Sequence, residues 1–456
     1  MERDPRCPLP PVSQLLRQQG QEHLVEHLAT LEPAARTRLE ARLRCIDWEE
    51  LSRPATPPSL EQLEPPRVIT LAERLGRGAA WSRLGEEAYR RGQVAVLLVA
   101  GGQGTRLGRR EPKGCFPIMP HSGKSLYQLQ AEKVVSLSRR LGHPVPLLLM
   151  TSPATDEPTR AFFAAARGFG LTPDQLRIFC QGTVPSTDAA GRLLLAGPGE
   201  LLENPDGHGG CFTALVASGN LSRLRQEGIR YLVYIQVDNV LAPVDDPLLV
   251  GLCAAEGAEV ITKVLPKAHP DERVGHLLRV GGRDHIVEYT ELSSEDVRRR
   301  GPDGELIYRW GSPALHCFST AFLARLAEAG FRLPLHRSRK PLQAYVDGQV
   351  RQVVGYKSER FIFDLLPQAQ VSLGLEVRRE EEFAPVKNAV GDDSPETAVR
   401  LASALYARWL EAVGVRVALP PGALIELSPL LAATESQLRQ RWDGRVREIT
   451  AGCLLE

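Results

Sequence analysis

Two hydrophobic rhythms divide the chain. Over residues 12–50 apolar positions recur at helical spacing: Leu15, Leu16, Leu24, Leu28 and Leu31 with His23 on the same stripe, then Leu39, Leu43 and Ile46. A proline-rich stretch, Pro54 to Pro58 and then Pro65-Pro66, separates this segment from the rest of the chain. From Gln93 onward the pattern becomes short continuous apolar runs, at 94–100, 145–150, 177–180, 231–237 and 258–264. Such runs read as strands buried on both faces. Helix-length segments lie between and after them, at 126–141, 156–167, 209–226 and 246–257. The alternation predicts an α/β fold, a mainly parallel Rossmann-like sheet with helices on both faces.

Further along, 276–280 and 285–289 flank Gly281-Gly282-Arg283-Asp284, a hairpin signal. Residues 314–319 read as a strand and 358–368 as a helix. Residues 394–412 form a clear helical stripe through Thr397, Leu401, Leu405 and Trp409. The division expected is a helical N-terminal appendage over 1–84, a catalytic domain over 85–390 and a small C-terminal domain over 391–456. In open parallel sheets ligands bind beyond the carboxyl ends of the strands, so chemistry is sought there.

The strongest motif sits at such an end. Ala100-Gly101-Gly102-Gln103-Gly104-Thr105-Arg106-Leu107-Gly108 follows the first apolar run and is succeeded by Glu111-Pro112-Lys113-Gly114. Glycines there let backbone N–H groups approach a phosphate closely. Arg106 can fork onto phosphate oxygens and Lys113 can place a point charge nearby. Two commoner phosphate motifs fail. Gly123-Lys124-Ser125 ends like a P-loop, but Ile118 stands where its first glycine belongs. A dinucleotide fingerprint from Gly102 and Gly104 needs glycine at Leu107. Asp238 closes the 231–237 run, where a single carboxylate with substrate phosphates and water suffices for Mg²⁺, although an Asp there also suits a helix cap. Gln181 follows the 177–180 run; its amide offers both a donor and an acceptor, although alone it reads as a surface glutamine.

The GGxGTRLG run with its PKG resembles the signature of the UTP-dependent sugar-1-phosphate uridylyltransferases, and more closely the UDP-N-acetylhexosamine pyrophosphorylase branch. The resemblance continues in order through Gln181-Gly182, Pro205-Asp206-Gly207-His208-Gly209-Gly210, Val237-Asp238-Asn239, Val274-Gly275, Val287-Glu288-Tyr289, Phe361 to Asp364 and Phe383 to Asn388. It implies the nucleotide-diphospho-sugar transferase type of fold. It further implies that Gly101, Gly102, Gly104 and Thr105 cradle the nucleotide, with Gln181 and Gly207 on the uracil. Arg106, Lys113 and Lys387 would act on the phosphates, and Asp238 would bind the metal, Mg²⁺ or Mn²⁺. Gly275 and Glu288 would face the sugar, with Phe361 and Phe363 near it. Two sugar-side positions depart from the branch pattern: His208 and Ser312 stand where it has asparagine. Exchanging an amide for an imidazole or a hydroxyl changes donor count and reach.

The reaction implied is UTP plus a sugar 1-phosphate giving a UDP-sugar and pyrophosphate, with N-acetylglucosamine as the leading sugar. A plain hexose 1-phosphate, glucose or galactose, is the first alternative, and a non-catalytic UDP-sugar-binding regulator is the second. Composition adds exclusions. Among 456 residues, 56 Lys and Arg nearly cancel 55 Asp and Glu, so no overall field favours nucleic acid or an anionic membrane. The longest apolar run, 94–100, is far short of the roughly 20 residues that span a bilayer. The first residues include acidic side chains and lack an apolar stretch, so no signal peptide is expected. Eight cysteines, none in a C-x-x-C pair, are expected to be buried thiols in a reducing cytoplasm.

Overall fold

The computed structural model describes residues 11–53, 55–56, 58, 63–272, 274–301 and 304–456, with Thr290 as backbone only. Five of the expected strands form one sheet. In chain order they are β1 (Val94–Val99), β2 (Leu147–Thr151), β3 (Leu176–Cys180), β4 (Tyr231–Gln236) and β5 (Val260–Pro266). They are joined by β6 (His316–Ser319) and β7 (Ser372–Glu376). The order across the sheet is β3-β2-β1-β4-β6-β5-β7. The β3-β2-β1-β4 pairs and the β5-β7 pair are parallel, whereas β6 runs antiparallel between β4 and β5. All six residues of β1 and all five of β2 are buried, as their unbroken apolar runs require.

Contacts divide the chain into two compact units. One comprises 1–56, 182–210 and 332–362, and the other 57–181, 211–331 and 363–456. These units cut across the segments expected from sequence. In the first, the amphipathic stretch folds as three helices, Val12–Gln18, Glu22–Thr30 and Pro33–Arg44. Leu16, Leu24, Leu28, Leu39 and Leu43 pack with Leu193, Leu195 and Leu201. The remainder is built on a long hairpin, His336–Val346 with Gln349–Glu359. Its turn, Asp347-Gly348, has φ of +50° and +82°, the left-handed pair of a tight hairpin turn.

The second unit holds the large sheet. Helix Leu126–Leu141 appears as expected, capped by Ser125. The 209–226 segment is instead two helices, Gly210–Ala217 and Asn220–Gln226, because Gly219 between them is left-handed at φ +72°. The helix expected over 358–368 is also corrected. The hairpin strand runs to Glu359, and only a 3₁₀ segment, Ile362–Gln368, comes after it. Residues beyond 390 share the sheet's core through Leu405, Tyr406, Leu410, Ile425, Leu427 and Leu438. Three of the described cysteines, Cys211, Cys253 and Cys317, are buried, but Cys45 and Cys180 are exposed, against expectation; Cys7 lies outside the described residues. Among the described residues no helix is long and apolar enough to cross a membrane.

Helices Leu71–Arg90, Thr320–Glu328 and Glu435–Arg441 are among those that escaped the sequence pattern. Leu71–Arg90 packs in the second unit, crossing Pro247–Ala255 backbone to backbone. A Cβ at Gly85 would lie 1.8 Å from the Pro247 carbonyl oxygen, and one at Gly251 would lie 1.7 Å from that of Trp81. Because the obstacle is backbone, no rotamer relieves it. Gly85→Ala and Gly251→Ala should each destabilise the chain by at least about 2 kcal/mol. Thermal unfolding checks this: a melting temperature within about 1 °C of the parent would refute the close crossing.

Candidate active site

The register of the parallel strands builds the site. Val99 of β1 pairs with Gln236 of β4, so the residues just past each strand emerge side by side. Past β1 comes the glycine turn, and past β4 comes Asp238. Lys113 Nζ donates to Asp238 Oδ2 at 2.9 Å, with both side chains largely buried. The turn between them is tied by Gly104 N–H to Glu111 O and by Lys113 N–H to Gly102 O. Gly114 admits the Tyr127 ring, which would lie 2.3 Å from a Cβ there. That contact fixes where Lys113 departs from the backbone. Around Gly102 nothing lies within 4 Å of a Cβ position, while Thr105 and Arg106 are exposed. The turn therefore presents open backbone and the exposed guanidinium of Arg106, with Arg109 and Arg110 also exposed, beside a fixed ammonium and a fixed carboxylate.

Gln181 joins them from β3. Its side chain is buried, and its Oε1 would lie 2.3 Å from a Cβ on Gly101, so only glycine lets the amide lie across the start of the turn. Lys387 is half-exposed, 3.7 Å from Asp393 and over the Phe383 ring. The backbone brings its segment to Asp238, because Val386 N–H donates to the Asp238 carbonyl. Asn239, quoted in the motif but given no role from sequence, stitches the two segments. Its Nδ2 donates to Glu382 O at 2.7 Å, and its Oδ1 accepts from Ala384 N–H at 2.9 Å. Beneath them Lys263 is buried between Asp246 and Glu382. Burial opposes its charge, but the two carboxylates outweigh burial and hold its pKa above the ordinary lysine value.

Gly275, Glu288 and Ser312 also converge. Gly275 pairs with Ser312 across two short strands, and a Cβ on Gly275 would lie 3.4 Å from Glu288 Oε1. Leu265, near the end of β5, pairs with Gly311. These three residues therefore also lie toward the carboxyl edge of the sheet. A cavity of about 730 Å³ opens between the segment before Gly275 and that around Lys387, lined by Val274, Phe383, Asn388 and Asp393 among others. His316 is fully buried, with Nδ1 against Thr262 Oγ1 at 3.0 Å, a packed residue as its strand position predicts.

Gly207 and His208 belong to the other compact unit. Gly207 has φ +83°, and a Cβ there would lie 2.5 Å from Arg360 O. Gly207 and Gly209 serve the packing of this loop on residues 359–361, which Asp206 locks through an ion pair to Arg360 at 2.8 Å. His208 stacks on Phe361 with centroids 5.3 Å apart, and His336 covers another part of that ring at 4.3 Å. Phe361 is thus a stacking residue rather than part of a helix core. His208 Nδ1 accepts from Ile362 N–H at 3.2 Å, which places the proton of the neutral ring on Nε2. Burial, with a smaller push from His336, lowers its pKa to about 4.

A single carboxylate at the strand ends is a hard-oxygen donor suited to Mg²⁺ shared with phosphates and water. Among the described residues, no three His, Cys, Asp or Glu side chains cluster to cage a metal by themselves. The donors present therefore fit a metal brought in with a nucleotide.

Residues 59–408 match the family model described as UTP–glucose-1-phosphate uridylyltransferase. The chain is 36% identical to UDP-N-acetylglucosamine diphosphorylase 2 of Arabidopsis thaliana, over 96% of this chain and 94% of the relative. It is also 36% identical to the UDP-N-acetylglucosamine pyrophosphorylase of Saccharomyces cerevisiae, over 82% and 80%. Among solved structures it is similar to the uridine diphosphate N-acetylglucosamine pyrophosphorylase of Trypanosoma brucei. There the TM-score is 0.80 at 29% identity, over 98% of this chain and 99% of the other.

The neutral His208 has a measurable consequence. Its folded pKa of about 4 lies below the ordinary 6.5. As pH falls through that window the unfolded chain takes up a proton that the fold refuses, so stability is lost from about pH 6.5 down to 4. His276, likewise lowered to about 4 by burial, adds to the same slope. His208→Asn should lose less melting temperature across this window than the parent. Equal slopes would mean that His208 is not held neutral.

Proposed function

The chain belongs to the UTP–glucose-1-phosphate uridylyltransferase family, and from that premise we propose that it joins UTP to N-acetylglucosamine 1-phosphate, forming UDP-N-acetylglucosamine and pyrophosphate. The observation that carries this reading is the Lys113–Asp238 pair at the ends of two adjacent parallel strands, beside an open glycine turn. The Arabidopsis and yeast relatives, matched over most of their length, support the N-acetylated sugar.

A phosphate oxygen of the sugar 1-phosphate attacks the α-phosphorus of UTP. The new P–O bond forms as the α–β bridging bond breaks, and its electron pair leaves with pyrophosphate. The nucleophile is already anionic, so no general base is required. The protein's task is alignment and charge neutralisation. Lys113 is assigned to the α-phosphate, or to the phosphates of both substrates. Arg106, exposed on the turn, is assigned to the β- and γ-phosphates, and Lys387 adds positive charge near Asp238. Asp238 would hold Mg²⁺, which supplies charge neutralisation at the phosphates. Gln181, beside the turn glycines, is assigned to uracil. On the sugar side, Glu288 can accept from hydroxyls while the Gly275 backbone leaves room.

A second reading, transfer to glucose or galactose 1-phosphate, is favoured by one observation. His208 offers a rigid imidazole whose Nδ1 is already engaged by Ile362 N–H, where the N-acetylhexosamine pattern has a flexible amide. Pyrophosphate release from UTP and Mg²⁺ with N-acetylglucosamine, N-acetylgalactosamine, glucose and galactose 1-phosphates separates the two. The expected result is a kcat/KM at least about tenfold higher for N-acetylglucosamine 1-phosphate than for either plain hexose, a margin typical of one lost pocket contact. The reverse order would select the second reading, and no release with any sugar would overturn both. Lys113→Ala should lower kcat by about 10²–10³-fold. Near-normal turnover would remove Lys113 from the reaction.

A further inference from the structure

The short segment after Asp238 is held from below by two polar residues of a buried helix. On Leu126–Leu141 every residue from Leu126 to Leu137 except Gln128 is buried, Gln130 and Lys133 among them. Gln130 Nε2 donates to Asn239 O at 2.9 Å. Lys133 Nζ donates to Val240 O at 2.7 Å and to Ala242 O at 2.9 Å. We propose that Gln130 and Lys133 are positioning residues for Asp238, acting through the 239–242 backbone to aim its carboxylate at the metal and phosphates. This rests on the role proposed for Asp238 in the uridylyl transfer.

Three observations argue that the clamp serves the site rather than the core. First, its partners are the carbonyls that follow Asp238 in sequence, and the same segment is stitched by Asn239 to the strand of chain bearing Lys387. Second, both residues are expensive to bury. Gln130 Oε1 is buried without a hydrogen-bond partner. Lys133 is desolvated, which pushes its pKa down to about 7. Packing alone would be served by apolar side chains. Third, Lys133 does not fill a tight core. With Val240, Leu241, Ala242, Tyr406 and Trp409 it lines a cavity of about 370 Å³. A side chain there is needed for its donors more than for its volume.

The test compares the full-length chain with Lys133→Met, which keeps the aliphatic stem and removes the donors, and with Gln130→Met. Circular dichroism first establishes that each variant is folded. Two quantities are then read: steady-state kinetics with UTP and N-acetylglucosamine 1-phosphate, and Mn²⁺ affinity of the protein–UTP complex by electron paramagnetic resonance. Orienting residues of this kind typically change metal affinity or activity by about 10–100-fold. The expected result is a kcat lowered about tenfold or more, a sugar-phosphate KM within about twofold, and Mn²⁺ bound about tenfold more weakly. Lys133→Gln, which restores an N–H donor, should recover part of both losses. Folded variants with kcat and Mn²⁺ affinity within about twofold of the parent would overturn the proposal. If the parent itself releases no pyrophosphate, the uridylyltransferase reading fails separately, and the Mn²⁺ measurement on the UTP complex still decides the clamp.

Discussion

The parallel pairing of β1 with β4 is the constraint on which the rest of the site depends. Because Val99 faces Gln236, the first turn past one strand and the first carboxylate past the other must meet. The ion pair between Lys113 and Asp238 is a consequence of that register. A slip of one residue would send Asp238 to the opposite face of the sheet. The buried, β-branched and leucine-rich runs of β1, β2 and β4 oppose such a slip, since nearly every position on both faces is already committed to the core. The geometry of the candidate site is thus inherited from the hydrophobic packing, and the loops add only the last few ångströms.

Those last few ångströms are set by polar groups acting on backbone. Asn239 binds the 382–384 backbone, Gln130 and Lys133 bind the 239–242 carbonyls, and Lys263 binds the Glu382 side chain from beneath. The loop that follows the glycine turn has its own brace. Glu426, fully buried, accepts the N–H groups of His121 and Ser122, and Lys124 reaches Ser428. The C-terminal segment therefore supports the loop that continues from Lys113. This gives the IELSPL stretch at 425–430 a structural task. Each of these contacts spans a hundred residues or more of sequence, so the site is a product of the whole second unit.

That distance explains what was legible in the sequence. β1, β2, β4 and β5 could be read because a strand buried on both faces needs a continuous apolar run. The glycine turn could be read because open backbone beside Arg106 and Lys113 has few other uses. Helix Leu71–Arg90 could not. Leu75 and Leu84 are exposed, and its docking works through Gly85, whose contribution is the absence of a side chain. The 336–359 hairpin carried its Asp347-Gly348 signal, but the flanking residues are largely polar and exposed, so the alternation that would have supported it is weak. Gln130 and Lys133 look like ordinary surface positions of an amphipathic helix. Only the fold reveals that this helix is covered on nearly every side and that its polar groups face backbone carbonyls.

The two departures from the sugar-side pattern behave differently once placed. Ser312 lies in a strand pair with Gly275, and its hydroxyl accepts from Ala314 N–H at 3.3 Å. It is a small residue on a short strand, so its exchange for asparagine changes reach. His208 is bound into a stack of rings and a hydrogen bond to Ile362. Its neutral form offers one N–H in a fixed direction, whereas an amide offers two and can rotate. Such a group imposes geometry on whatever it faces, because a partner either meets that direction or leaves a polar group unpaired. The two departures therefore differ in freedom: the His208 ring is fixed within its own loop, whereas Ser312 keeps a small hydroxyl on a strand.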